Sequence, residues 1–136
     1  MIKSLKEWVL YYLRHKDTIK REILDISVAN NGFIVKTVNN EWTVQVCGSL
    51  EKFPVLESSE KVLLFTLNTK NNLNFLYKYW NDFKKPNITI YFVNPVAGGD
   101  KSWAVNPYVH SLIADDSSLM QGLESLFQTV EEVVIK

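Results

Sequence analysis

The run Val62-Leu63-Leu64-Phe65-Thr66-Leu67 constrains this chain more than any other stretch. Apolar residues at consecutive positions belong to a strand buried on both faces, at the centre of a sheet with helices on each side. The polar pair Asn68-Thr69 follows at once, and an oxygen from either side chain can cap a helix. Leu73, Leu76, Trp80 and Phe83 trace the apolar stripe of that helix, and Pro86 lies past its end. Asn87–Val93 is a second dense strand, ended at Asn94-Pro95 because proline has no amide to give a ladder. Strand, helix and strand in this order predict one parallel crossover.

Upstream, the pattern has a different period. Ser4-Leu5-Lys6-Glu7 reads as a capping box, with Leu5, Val9, Tyr12 and Leu13 on one helical face and the helix ending near Arg14–Lys16. From Ile23 the period becomes two. Ile23–Val28, Phe33–Val38 and Trp42–Cys47 predict three strands in an antiparallel meander, turning at Asn30-Asn31-Gly32 and Asn39-Asn40. Trp42, Val44 and Val46 share one face while Thr43 and Gln45 share the other, so this part of the sheet is expected to be solvated on one side. Gly48–Ser59, with Pro54, reads as a loop.

Downstream, Gly98-Gly99-Asp100 marks a turn. Ser102–Val105 reads as a strand, and Tyr108–Ile113, after the Asn106-Pro107 break, as a further extended segment. Asp115-Asp116-Ser117 opens a last helix whose apolar positions run from Leu119 to Val134. The expected fold is therefore a single α/β domain over residues 1–136. It has a central mixed sheet, made of an antiparallel meander and one parallel strand–helix–strand crossover, flanked by helices.

Composition narrows the function. Lysine plus arginine equals aspartate plus glutamate, so no global field draws the chain to nucleic acid or to a membrane. The single cysteine, Cys47, excludes an internal disulfide framework and a cysteine-based zinc site. The histidines, His15 and His110, lack metal-ligand spacing. No apolar run reaches the roughly 18–20 residues of a membrane span, and the N-terminus lacks the apolar core of a signal peptide. The expectation is a cytoplasmic chain with no cofactor and no metal.

The order helix, meander, crossover, helix resembles the restriction-endonuclease-like superfamily, also called PD-(D/E)xK. The resemblance lies in element order. It implies an acid on one strand and an acid-x-Lys triplet on the next, whose carboxylates hold divalent metal for phosphodiester cleavage. The triplet falls on Asn68-Thr69-Lys70: Lys70 matches, and Asn68 stands where the acid belongs. An amide oxygen brings no negative charge to a hard cation.

Other constellations are weaker. Gly98-Gly99-Asp100-Lys101-Ser102 lacks the spacing of a phosphate cradle. Asn68, Asn106, Tyr108 and His110 form a candidate pocket. Lys70, Lys78, Lys84 and Lys85 accompany Tyr77, Tyr79 and Trp80, and Arg14 and Lys16 follow Trp8, Tyr11 and Tyr12. Basic groups interleaved with aromatics suit a nucleic-acid backbone, and tyrosine and tryptophan on helices equally suit a protein interface. The sequence points to a non-catalytic binding or assembly module that engages a protein partner, itself or a nucleic-acid backbone. The alternative is a metal-dependent nuclease with an atypical site around Asn68 and Lys70.

Overall fold

The computed structural model describes residues 2–20, 23–29, 32–38, 40–52, 61–113 and 115–134. Among them, one mixed sheet has a spatial order that follows the chain: β1 (Ile23–Ala29), β2 (Gly32–Thr37), β3 (Glu41–Val46), β4 (Lys61–Leu67), β5 (Ile88–Val93) and β6 (Ser102–Val105). β1, β2 and β3 pair antiparallel, and β6 runs antiparallel to β5. β4 lies parallel to both β3 and β5. The α/β class, the meander and the crossover are as expected. A second parallel pair, β3 with β4, adds to them; parallel neighbours need a dozen or more residues between them, and positions 47–60 supply that length.

Helices cover both faces. α1 (Ile2–Lys20) lays Leu5, Val9 and Leu13 on Phe33, Val35, Val44, Leu63 and Phe65. On the other face, α2 (Lys70–Lys78), the 3-10 turn Trp80–Phe83 and α4 (Leu119–Phe127) bring Leu73, Leu76, Trp80, Leu123 and Phe127 onto Val62, Leu64, Ile90, Phe92 and Trp103. β4 sends alternate side chains into both cores, which is why its sequence is apolar without alternation. Each such side chain contributes roughly 1.5–3 kcal/mol when fully buried. Among the described residues, β1–β3 give none to the second core, and Thr43 and Gln45 on that side remain half-buried.

Several boundaries differ from expectation. α1 starts at Ile2, so Ser4 and Glu7 lie inside it and do not form its start. It also continues to Lys20, since neither proline nor glycine interrupts it. Tyr108–Ile113 is not extended: Pro107–Ile113 is a helix, α3. Asn106 is its cap, accepting the Val109 amide on Oδ1 at 3.1 Å, and Pro107 opens it without a missing bond. The Asn-Pro pair that reads as a break is therefore a helix start. A 3-10 turn at Asp116–Ser118 precedes α4, which stops at Phe127. Residues 131–134 carry no regular structure, and Val130 and Val133 are nonetheless buried. The expected turns at Asn30, Asn31 and Asn39, and the loop around Pro54, lie outside the described residues.

Gly32 fixes the start of β2. A Cβ there would overlap the Val44 carbonyl oxygen on the neighbouring strand, so only glycine lets β2 and β3 pair at this point.

Candidate functional site

In α/β sheets, ligands bind beyond the carboxyl ends of the parallel strands. Here those ends are Leu67 on β4 and Val93 on β5, paired in register and followed by Asn68 and Asn94. The Asn68 amide donates to the Val93 carbonyl at 2.8 Å, extending the ladder one step. Its side chain is fully buried. Nδ2 donates to the carbonyls of Val130 at 3.0 Å and Glu131 at 3.2 Å, with Phe127 O at 3.5 Å, and Oδ1 accepts the Trp103 indole N–H at 2.8 Å. The Asn68 carbonyl accepts the Val133 amide at 2.9 Å.

The neighbouring asparagines do similar work. Asn94, also buried, donates through Nδ2 to the same Glu131 carbonyl at 3.0 Å and accepts the Val96 amide at 3.1 Å. Asn72, in the first turn of α2, accepts the Leu50 amide at 2.8 Å. It donates to the carbonyls of Leu67 at 2.8 Å and Gly48 at 3.0 Å and to the Thr66 hydroxyl at 3.1 Å. Thr69 is the cap of α2, accepting the Asn72 amide at 3.2 Å. Each buried asparagine thus replaces water with chain carbonyls and amides, the condition under which a buried polar group is stable.

The segment after α4 therefore crosses the end of the parallel strands and closes it. Its carboxylates add two further ties. Glu131 Oε1 accepts the Gly98 amide at 3.0 Å, and Glu132 Oε2 accepts the Lys70 amide at 3.0 Å, at the positive end of α2. Lys70 Nζ pairs with Glu124 at 3.4 Å and lies 5.4 Å from the centre of the Phe127 ring. Asn68 and Lys70 are sequence neighbours at this end, but Asn68 faces the interior and Lys70 is exposed. Among the described residues, no group of three or more His, Cys, Asp and Glu side chains could hold a metal ion.

The other candidate residues lie elsewhere. β6 runs back along β5, with Ser102 opposite Val93 and Val105 opposite Ile90, which carries Asn106 to the beginning of β5. Asn106 Nδ2 donates to the Pro86 carbonyl there at 3.3 Å. Tyr108 is exposed on α3, and the His110 ring meets Trp80 edge-on at 5.6 Å. Asn68 is thus not brought together with Asn106, Tyr108 and His110; they occupy opposite ends of the sheet. The basic residues also divide. Lys70, Lys78, Lys84 and Lys85 belong to the α2 side, whereas Arg14 and Lys16 lie on α1, across the sheet. Trp80 is a core residue, while Tyr77 on α2 and Tyr79 just past its end are exposed, with Lys78 Nζ 5.4 Å from the Tyr79 ring centre. On α1, Trp8 and Tyr12 stack at 5.0 Å and face the sheet, while Tyr11 is exposed.

One ionisable group stands out within the α1-side core. Tyr91 stacks on Phe65 at 4.4 Å and meets Tyr12 edge-on at 5.7 Å. Burial, reinforced by the charge and hydrogen bond of Tyr12, holds its hydroxyl well above the usual phenol range.

Asn72, Asn94, Trp103 and Glu131 are missing from the sequence-derived candidates. A signal for the asparagines exists: Leu67-Asn68 and Val93-Asn94 each put an amide directly after an apolar parallel strand. No helix among the described residues is long and apolar enough to cross a membrane. Comparison of the chain with protein-family models, with curated proteins and with solved structures found no match in any of the three.

Proposed function

We propose that the chain is a non-catalytic binding or assembly module on a nuclease-like α/β scaffold. The observation that carries this reading is the Asn68 side chain. Both of its polar atoms are engaged, with the Trp103 indole and with main-chain carbonyls. An amide so occupied is fixed toward the interior, with both Nδ2 protons given to main-chain carbonyls and its oxygen held by the indole, and it brings no negative charge to a cation. Lys70, the matching lysine of the resemblance, is paired with Glu124.

The test is manganese titration by calorimetry together with cleavage assays on plasmid DNA and single-stranded RNA. The expected result is no saturable manganese binding and no cleavage. Manganese-dependent nicking that Lys70→Ala abolishes would overturn the reading in favour of an atypical nuclease.

Contact with a nucleic-acid backbone is a second reading, favoured by the exposed Tyr77, Lys78 and Tyr79 at the end of α2 with Lys84 and Lys85 shortly beyond. A phosphate-led mode loses affinity steeply as salt rises. Binding that is insensitive to salt, or unchanged in Lys78→Ala, would exclude it.

A further inference from the structure

The segment after α4 is held the way a separate peptide would be. Residues 131–134 have no helix or ladder of their own, and their ties run to the ends of β4 and β5 and to the loop beyond. Val130 and Val133 are buried, but in different cores: Val130 joins the one under α2 and α4, and Val133 the one under α1. Between them Glu131 and Glu132 are exposed, and each carboxylate accepts a main-chain amide, from Gly98 and Lys70 respectively.

The groove beneath selects what lies in it. Asn68 Nδ2 donates to the carbonyls of Val130 and Glu131, and Asn94 Nδ2 to that of Glu131. With the amides of Gly98 and Lys70, the groove is rich in donors, and the start of α2 adds a field that favours a carboxylate. The Asn68 carbonyl asks for an N–H in return and receives it from Val133. A phosphate has no such donor; a peptide backbone has one at each residue. Two apolar sockets straddle the carboxylates. The fitting occupant is therefore an extended peptide reading apolar-acid-acid-apolar, recognised by its main chain and anchored by its side chains.

The hold is shallow. Across residues 130–134 only Val130 and Val133 are buried, and both carboxylate bonds lie at the surface. Few buried apolar contacts and solvent-exposed bonds put a segment at the low end of local opening energies.

We infer that the ends of β4 and β5 form a peptide-recognition groove, that Val130-Glu131-Glu132-Val133 fills it in cis as an autoinhibitory segment, and that its partner is another protein's extended segment of the same apolar-acid-acid-apolar pattern. This rests on the binding-module reading above and names the chemistry of the partner.

Fluorescence anisotropy of a labelled synthetic peptide with the sequence of Gln128–Val134 tests it on the full chain. A tethered segment competes at an effective concentration of roughly millimolar order, so the unaltered chain should bind the peptide weakly. Val133→Ser loosens the resident segment and should raise the affinity at least tenfold. Asn94→Ala in the same chain, or Glu132→Lys in the peptide, should reverse that gain. Circular dichroism checks that each chain is folded; if Val133→Ser unfolds, Glu132→Gln, at an exposed position, replaces it with an expected gain of severalfold. No binding by a folded, loosened chain overturns the proposal. So does equal binding by the unaltered and loosened chains, or indifference to the change in the peptide. Hydrogen exchange on the unaltered chain needs no variant: the Val133 amide should exchange at least a hundredfold faster than the Leu64 amide in β4, and equal rates would also overturn it. A chain that neither binds the peptide nor cleaves in manganese keeps the non-catalytic reading and loses this one, whereas manganese-dependent cleavage removes the reading beneath it.

Discussion

The indole N–H of Trp103 on β6 donates to the side-chain oxygen of Asn68 beyond β4, at 2.8 Å, across the end of β5 that separates them. This bond orients the amide. With Oδ1 held by the indole, Nδ2 points at the carbonyls of Val130 and Glu131. The Trp103 ring is itself stacked on Phe92 at 4.2 Å, so the donor is held rigidly.

Asn68→Ala should destabilise the fold by about 3 kcal/mol, since a buried indole and buried carbonyls lose their partner together. Urea unfolding measures it, and a change below about 1 kcal/mol would refute this account of the amide.

Asn68→Asp restores the acid of the resembled triplet without making a site. The carboxylate would face carbonyl oxygens in a buried position, so its pKa should rise above the ordinary carboxylate range. A group with a raised folded-state pKa gives its full stability below its unfolded value, so the variant is most stable in acid and loses stability as pH rises above about 4. Urea midpoints at successive pH values check the sign. Manganese-dependent cleavage by this variant would show that the end of the strands is open after all.

Tyr91 gives an alkaline counterpart. Its raised hydroxyl contributes stability that is fully present below the ordinary phenol value of about 10 and is lost as pH rises beyond it, because the unfolded chain ionises first. Tyr91→Phe should flatten that alkaline decline and keep the stacking on Phe65. Thermal melts between pH 8 and pH 11 of both chains compare them; parallel curves would contradict the assignment.

The glycines separate in opposite directions. Gly122 lies inside α4, and a Cβ there meets no atom within 4 Å. Gly122→Ala should therefore stabilise by about 0.5–1 kcal/mol through helix propensity alone. Gly32→Ala should destabilise strongly, because the added carbon collides with the Val44 carbonyl. Urea titration of the two variants measures both signs.

Much of the fold is legible in the sequence because it is encoded locally. The period of two in Phe33–Val38, the unbroken apolar run of β4 and the stripe Leu73-Leu76-Trp80 each act within one element. The misread pieces are those in which one local pattern has two outcomes. Asn106-Pro107 can end a strand or open a helix, and the neighbouring Pro86 carbonyl and Trp80 ring favour the helix here. The apolar spacing after Phe127 would continue α4, but the carbonyls that a longer helix would bond internally are taken by Asn68 and Asn94. Those contacts join residues 37 to 63 positions apart, and no local window of sequence contains both partners. The Asn68 cluster is invisible in the sequence for that reason, although Asn68 itself stands out at the end of an apolar strand.

Residues 128–134 follow every strand of the sheet in the chain, and it is their carbonyls, at Val130 and Glu131, that receive the Asn68 side-chain amide. Where that segment is lifted away, the amide is wetted. Its docking is thus a drying event, in which backbone displaces solvent from the strand ends.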